Sequence, residues 1–219
     1  MERQLKITED GSHTFFMQGM NEPYHSLHGA ISESRHVFIG QGLHTVEKSP
    51  LRILEMGFGT GLNALLTLTE SIPMNIDVYY HTVEKFPLKR QEYSLLNYEK
   101  FIDQVPESAF HRMHECPWGK EVRISERFVL YKEEADFRFM NVPPPVHLVY
   151  FDAFSPEKQP ELWTDQVMDS IYRVCDAGAV LVTYSAKGVV RRTLASCGFE
   201  VFKVPGPPGK REMIRAVKR

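Results

Sequence analysis

The chain has 219 residues, 42% of them hydrophobic and 25% charged, with a formal net charge of −2. That suits a single globular domain able to bury about 70% of its unfolded surface. No apolar run reaches the roughly 18 residues that span a bilayer, and the opening residues MERQLKITEDGSH lack the apolar stretch of a secretory signal. Cys116, Cys175 and Cys197 are odd in number and scattered, so a cytoplasmic chain with free thiols is expected, with no membrane contact and no disulfide framework.

Residues 1–50 mix short β-like runs (HTFFMQ, HVFIG) with glycine and asparagine turns, which predicts a small N-terminal β-rich lobe. From 51 to 219 a regular alternation predicts the main domain. Strand LRILEM leads through glycines to the helical run LNALLTLTES. Strand IDVYYHTVE leads to a helix after Pro87. Residues 97–122, rich in Tyr, Phe, His and Trp, read as an irregular helical insertion. Strand RFVLYK leads to EEADFRFM, and strand HLVYFDA leads through a loop to the helix ELWTDQVMDSIYRVC. Strand AVLVTYS is followed by the helix GVVRRTLASCG. The last strands, FEVFKV and EMIRAVK, are joined by the tight turn PGPPGK and must be antiparallel. The expected fold is α/β and Rossmann-like: seven strands, mostly parallel, ending in an antiparallel hairpin, as in class I methyltransferases.

The loop Glu55–Gly61 reads E-x-G-x-G-x-G. A dinucleotide fingerprint needs its third glycine at position 62, which is Leu62. The earlier glycine instead favours S-adenosylmethionine. Gly57, Gly59 and Gly61 let the backbone turn tightly and approach a ligand. Glu84 closes the second strand at about the twenty-residue spacing of a ribose-binding acid. Glu55 is the candidate orienter of the cofactor's amino-acid end, directly or through water. Glu134 is placed for the adenine amino group, with Glu133 and Asp136 competing for that role. Phe58, Asn63, Lys85 and Asp152 complete the expected cofactor set.

Asp152 ends a buried strand, at the sheet edge where open α/β folds bind ligands. The following Ala-Phe-Ser-Pro looks like a variant of the Asp/Asn-Pro-Pro-aromatic loop of amino-group methyltransferases. A primary alkylamine has a pKa near 10.4, by analogy with lysine, and so arrives mostly protonated. A carboxylate can hold the ammonium, aim it and help its proton leave, either as base or as positioner. Phe154 would flank the acceptor or simply pack in the core.

The residues GFGTGLN (57–63), VEKFPLKR (83–90), FDAFSPEKQPELWT (151–164), GVVRRTL…GF (188–199) and GKREM (209–213), with a weaker ESRHVF (33–38), resemble the methyltransferase domain of the MnmC family of tRNA 5-methylaminomethyl-2-thiouridine biosynthesis proteins. The resemblance implies methylation of the aminomethyl nitrogen on uridine 34, in the anticodon loop of tRNA. Asp152 would face the amine, Phe154 and Pro156 would shape the base pocket, and Glu33 and Arg35 would join the substrate side. From Lys187 to Arg219 nine basic residues stand against two acidic ones. Lys187, Arg191, Arg192, Lys210 and Arg211 are therefore candidates for tRNA phosphates, or else a solvated face. No second nucleotide fingerprint follows, so neither FAD nor an oxidase is expected. The proline-rich PGPPGKRE departs from the family's usual Gly-aromatic-Gly-Arg run.

Two rivals stand beside this reading. One is a small-molecule amine methyltransferase or an aminopropyltransferase on the same fold; the other is a non-catalytic RNA-binding protein. His111, His114 and Cys116 lack a fourth ligand at zinc spacing, so no metal is expected. Tyr24, His25 and Ser26 are candidates for a lid, and Trp118 for local packing. Nothing in the sequence indicates an oligomeric state.

Overall fold

The computed structural model describes residues 2–219. Strands β1 (Arg3–Ile7), β2 (His13–Met17) and β3 (Glu22–Pro23) form a three-stranded antiparallel sheet. Its turn is tied to the following helix α1 (Ala30–Ser34) by one carboxylate. Asp10 accepts from the Thr8 hydroxyl (2.8 Å) and from the backbone N–H and hydroxyl of Ser12 on one oxygen. On the other it accepts from the N–H (3.0 Å) and hydroxyl (2.9 Å) of Ser32. Burial pushes this carboxyl up, but the bonds from Ser12, Ser32 and Thr8 outweigh it and hold the pKa at about 2. The stabilisation is therefore complete above the ordinary value of 3.8 and fades as pH falls through about 2. Asp10→Ala is expected to cost about 3 kcal/mol at neutral pH, because hydrogen bonds to a charged group contribute roughly 1.5–3 kcal/mol each and some are replaced by water. A urea midpoint at pH 7 unchanged by the substitution would contradict this.

The run HVFIG does not form a strand. Arg35–Gly40 is a π-helical turn continuing α1. Val37, Phe38 and Ile39 are all buried, and a strand's alternation would have turned Phe38 away from its two neighbours. The turn packs instead on α2 (Leu62–Met74) and on a central strand of the main sheet.

The main sheet begins with β4 (Leu51–Met56) and β5 (Val78–Glu84). Short helices α3 (Arg90–Tyr93) and α4 (Ala109–Glu115) precede β6 (Glu121–Ser125) and β7 (Phe128–Glu134). Then come β8 (Val146–Phe151), α5 (Asp165–Val174), β9 (Cys175–Thr183), α6 (Gly188–Ser196), β10 (Phe199–Pro205) and β11 (Glu212–Lys218). The order is β10-β11-β9-β8-β4-β5-β7-β6. The five central strands run parallel, and β11 inserts antiparallel between β10 and β9.

The sheet thus has one strand more than the expected seven. The extra one, β6, pairs antiparallel with β7 and covers its otherwise open edge. The aromatic and histidine-rich composition that suggested a helical insertion ends near residue 118, and EVRIS beyond it is the first arm of a hairpin.

All six residues of β8 are buried, as a central parallel strand with covered faces requires. One face packs Ile53, Tyr80, Leu148 and Tyr150 under α2 and the π-helical turn. The other packs Leu54, Val149 and Leu181 under α5 and α6. No helix among the described residues is long and apolar enough to cross a membrane.

Candidate active site

The carboxyl ends of β4, β5, β8 and β9 open into a cavity of about 480 Å³. That lies within the roughly 300–1,000 Å³ of small-molecule sites. Its floor is the glycine loop. Gly57 has φ 100°, and a Cβ there would sit 3.0 Å from the Asp152 carbonyl oxygen. Gly61 has φ 75°, and its Cβ would meet the His114 ring at 2.9 Å. Both positions combine left-handed backbone with close approach, so the loop and the strand end beyond it can touch only because no side chain intervenes.

Glu84 lines the cavity and is fixed from below. Its carboxylate accepts the Gly59 N–H (3.0 Å) and the Phe86 N–H (2.7 Å). Each oxygen keeps a lone pair, a suitable acceptor pair for the two hydroxyls of a ribose. Phe137, against Gly57, and Leu162 give the same wall an apolar surface. These residues fit an adenosyl ligand. Phe58, Asn63 and Lys85 also line the cavity, Lys85 paired with Asp136 at 2.9 Å.

The loop rests on α4. The His114 ring N–H donates to the Thr60 carbonyl (3.0 Å) and stacks on Tyr93 at 4.4 Å. Burial holds the ring neutral, its pKa lowered to about 3. The fully buried Lys132 donates to the His114 carbonyl (2.7 Å), with its ammonium 4.6 Å from the Trp118 ring centroid and 5.5 Å from that of Phe58. His114 is therefore a loop support, and Trp118 packs against the lysine. His114→Ala is expected to lower cofactor affinity about tenfold, since one lost buried hydrogen bond is worth about 1.4 kcal/mol. Calorimetric titration with S-adenosylhomocysteine reads this directly, and an unchanged Kd would count against the support role.

Two expected cofactor residues lie elsewhere. Glu55 points under α2, fully buried and outside the cavity lining. Tyr80, Thr82 and Asn63 crowd its carboxyl, at distances or angles outside those of a formed hydrogen bond. Burial raises its pKa to about 8, so it is largely protonated at neutral pH. A strand alternates its side chains, and position 55 shares the core face with Leu51 and Ile53. Glu134 is exposed at the end of β7 and also lies off the cavity. Asp136 lines it instead, held by Lys85 and Arg138, while Glu133 pairs with His81.

Asp152 follows β8 directly. Asn63, in the first turn of α2, donates its amide N–H to the carboxylate at 2.9 Å. Burial raises the Asp152 pKa to about 7, against the pull of that hydrogen bond. The loop beyond is braced by its own side chains. Gln159 accepts the Phe154 N–H (3.1 Å), Trp163 donates to the Phe154 carbonyl (2.8 Å), and Tyr184 donates to the Ala153 carbonyl (2.9 Å). Phe154 lines the cavity with its ring edge-on to Tyr24 at 5.1 Å. Pro156 does not line it.

The N-terminal lobe closes the other side. Tyr24, His25 and Ser26 line the cavity together with Met17, Met20 and Glu22. Glu22 fastens lobe to loop, accepting the Ser155 N–H (3.0 Å) and hydroxyl (2.8 Å). Glu33 also lines the cavity and pairs with Lys210 at 2.8 Å. Arg35, Arg191, Arg192 and Arg211 are exposed away from it, and Lys187 pairs with Glu157. Sequence reasoning missed Glu22, Phe137, Gln159 and Tyr184. Tyr184 carried a usable signal, since it ends a parallel strand at the ligand-binding edge.

A family model described as S-adenosyl-L-methionine-dependent methyltransferase matches residues 99–219. Relatives named tRNA 5-methylaminomethyl-2-thiouridine biosynthesis bifunctional protein MnmC include those of Marinomonas sp. (32% identity over 88% of this chain and 31% of the relative) and Aromatoleum aromaticum (32% over 99% and 35%). The chain spans about a third of the length of these curated relatives. The crystal structure of MNMC2 from Aquifex aeolicus superposes with a TM-score of 0.81 at 30% identity, covering 100% of this chain and 70% of that one.

Proposed function

The chain belongs to the S-adenosyl-L-methionine-dependent methyltransferases, in the MnmC family, and from that premise we propose that it methylates the aminomethyl nitrogen on uridine 34 of tRNA. The observation that carries the reading is Asp152. It is a carboxylate aimed into the cavity, braced by Asn63 and titrating near pH 7, next to the floor that fits the adenosyl group. The names of the relatives, tRNA 5-methylaminomethyl-2-thiouridine biosynthesis proteins, support the same substrate.

The bound cofactor supplies an electrophilic methyl group on a sulfonium. Gly57, Gly59 and Glu84 would hold it, with Lys85 and Asp136 at the rim, while Gly61, off the cavity, lets the loop pack on His114. Asp152 binds the incoming ammonium, aims it and accepts its proton, which frees the nitrogen lone pair. Phe154 and Tyr24 form an aromatic wall against which a splayed wobble base can lie. Arg191, Arg192 and Arg211 stand on the surface for tRNA phosphates, and a tRNA substrate places the enzyme in the cytoplasm. On this reading residues 1–50 are a lobe over the pocket and 51–219 the catalytic domain, with 97–122 supporting the glycine loop.

The test is transfer of labelled methyl to tRNA bearing 5-aminomethyluridine, with a free diamine as the competing acceptor. Label in tRNA supports the reading; label confined to the diamine overturns it.

A further inference from the structure

The cavity already holds an ammonium ion, and it belongs to the protein. Lys210, at the turn between β10 and β11, lines the cavity with a side chain that stays 36% exposed. Its Nζ sits 2.8 Å from Glu33 and 4.2 Å from the centroid of the Tyr184 ring. Asp152 lines the same cavity as Glu33, Tyr184 and Lys210, and the charges of Glu33 and Lys210 act on its carboxyl in opposite senses. An alkylammonium with one carboxylate beside it, an aromatic ring over it and a second carboxylate close by is what a cationic amine acceptor would require.

We propose that Glu33, Tyr184 and Asp152 form an alkylammonium subsite, and that Lys210 fills it in the free protein as a stand-in for the substrate amine. The inference rests on the reading of an amine acceptor given above. The four parts come from separate elements: Glu33 from α1, Asp152 from the end of β8, Tyr184 from the end of β9, and Lys210 from the hairpin turn. Glu33 is buried and anchored independently, its other oxygen accepting the Ser26 N–H at 2.7 Å. It therefore keeps its place when Lys210 leaves. The lysine stem is long and its side chain partly exposed, so it can swing outward toward Arg211 and meet a phosphate. Substrate binding is then an exchange of one ammonium for another. Cationic amines are selected because only they replace the charge that Lys210 removes, and a neutral acceptor would leave Glu33 buried and unpaired.

This predicts a change of unusual sign. A lysine serving only as a phosphate anchor would lower affinity when removed, whereas a stand-in raises affinity for small cations. The probe is n-propylammonium, with n-propanol as its neutral counterpart, titrated by calorimetry into the full chain. Lys210→Ala is expected to bind propylammonium at least about tenfold more tightly than wild type, with no gain for propanol. The gain should vanish in the double variant Lys210→Ala/Glu33→Gln. Lys210→Gln serves as a second neutral variant and should behave as Lys210→Ala does. Equal or weaker propylammonium binding in both single variants overturns the proposal. Methyl transfer to tRNA is scored separately. Transfer without the ammonium gain removes this inference alone, and the gain without transfer removes the tRNA reading alone.

Discussion

Asp152→Asn is expected to lower methyl transfer by about 10²–10⁴-fold and to stabilise the fold above neutral pH. The first effect follows from the loss of an anionic group that binds the ammonium and accepts its proton; general-base groups contribute on that scale. The second follows from what burial costs. The Asp152 pKa rises from 3.8 to about 7 in the folded state, so folding holds the proton more tightly than the unfolded chain does. The fold is accordingly penalised as pH rises from about 4 to about 7, and the penalty stays constant above that range. The full shift corresponds to an upper bound of about 4 kcal/mol. Asparagine keeps an oxygen for the Asn63 amide but carries no charge. Denaturant unfolding at pH 8 should show a gain of about 1–4 kcal/mol, absent below about pH 4. The pH–rate profile of the variant should lack the inflection near 7 that the wild type shows. A variant that loses stability at pH 8, or retains that inflection, would contradict the role given to this carboxylate.

Glu84→Ala is expected to weaken S-adenosylhomocysteine binding by about 10²–10³-fold. The substitution removes the acceptor for the ribose hydroxyls and also frees the Gly59 and Phe86 N–H groups. Hydrogen bonds to a charged group are worth about 1.5–3 kcal/mol each; two of them near the low end of that range, with water replacing part of the loss, give about 3–4 kcal/mol. A glutamine side chain at this position would keep one acceptor and present a donor where the second is needed, so Glu84→Gln should fall between wild type and Glu84→Ala. Calorimetry on both variants separates this contact from a general disturbance of the loop. Equal affinities in wild type and Glu84→Ala would exclude the carboxylate from the cofactor site.

The parallel core was legible because its signals are local. Strand β8 is apolar but for His147 near its start, and the Gly/Pro turn before β11 permits only an antiparallel return. The glycine spacing likewise separated an adenosyl ligand from a dinucleotide within seven residues. Other features depended on the direction of a side chain, which composition does not carry. Glu55 sits in the glycine motif, yet strand alternation buries it under α2. Glu134 and Asp136 are two residues apart at a strand end, and only the bend into the Phe137–Phe139 turn brings the second to the cavity. The π-helical turn at Arg35–Gly40 has the composition of a strand and was decided by tertiary packing of Val37, Phe38 and Ile39. Glu22 and Tyr184 reach the site from opposite ends of the chain, and Lys132 is a lysine where the pattern expects a core apolar residue.

The central claim is that the acceptor is the aminomethyl nitrogen of the wobble uridine. It is tested most directly by incubating the protein with S-adenosylmethionine and tRNA carrying 5-aminomethyl-2-thiouridine, digesting the tRNA to nucleosides, and identifying the product by mass spectrometry. The expected product is 5-methylaminomethyl-2-thiouridine, with fragmentation placing the added methyl on the side-chain nitrogen and none formed by Asp152→Ala. A methyl on any other nucleoside, or an unchanged aminomethyl nucleoside under conditions where the protein binds cofactor, would contradict it.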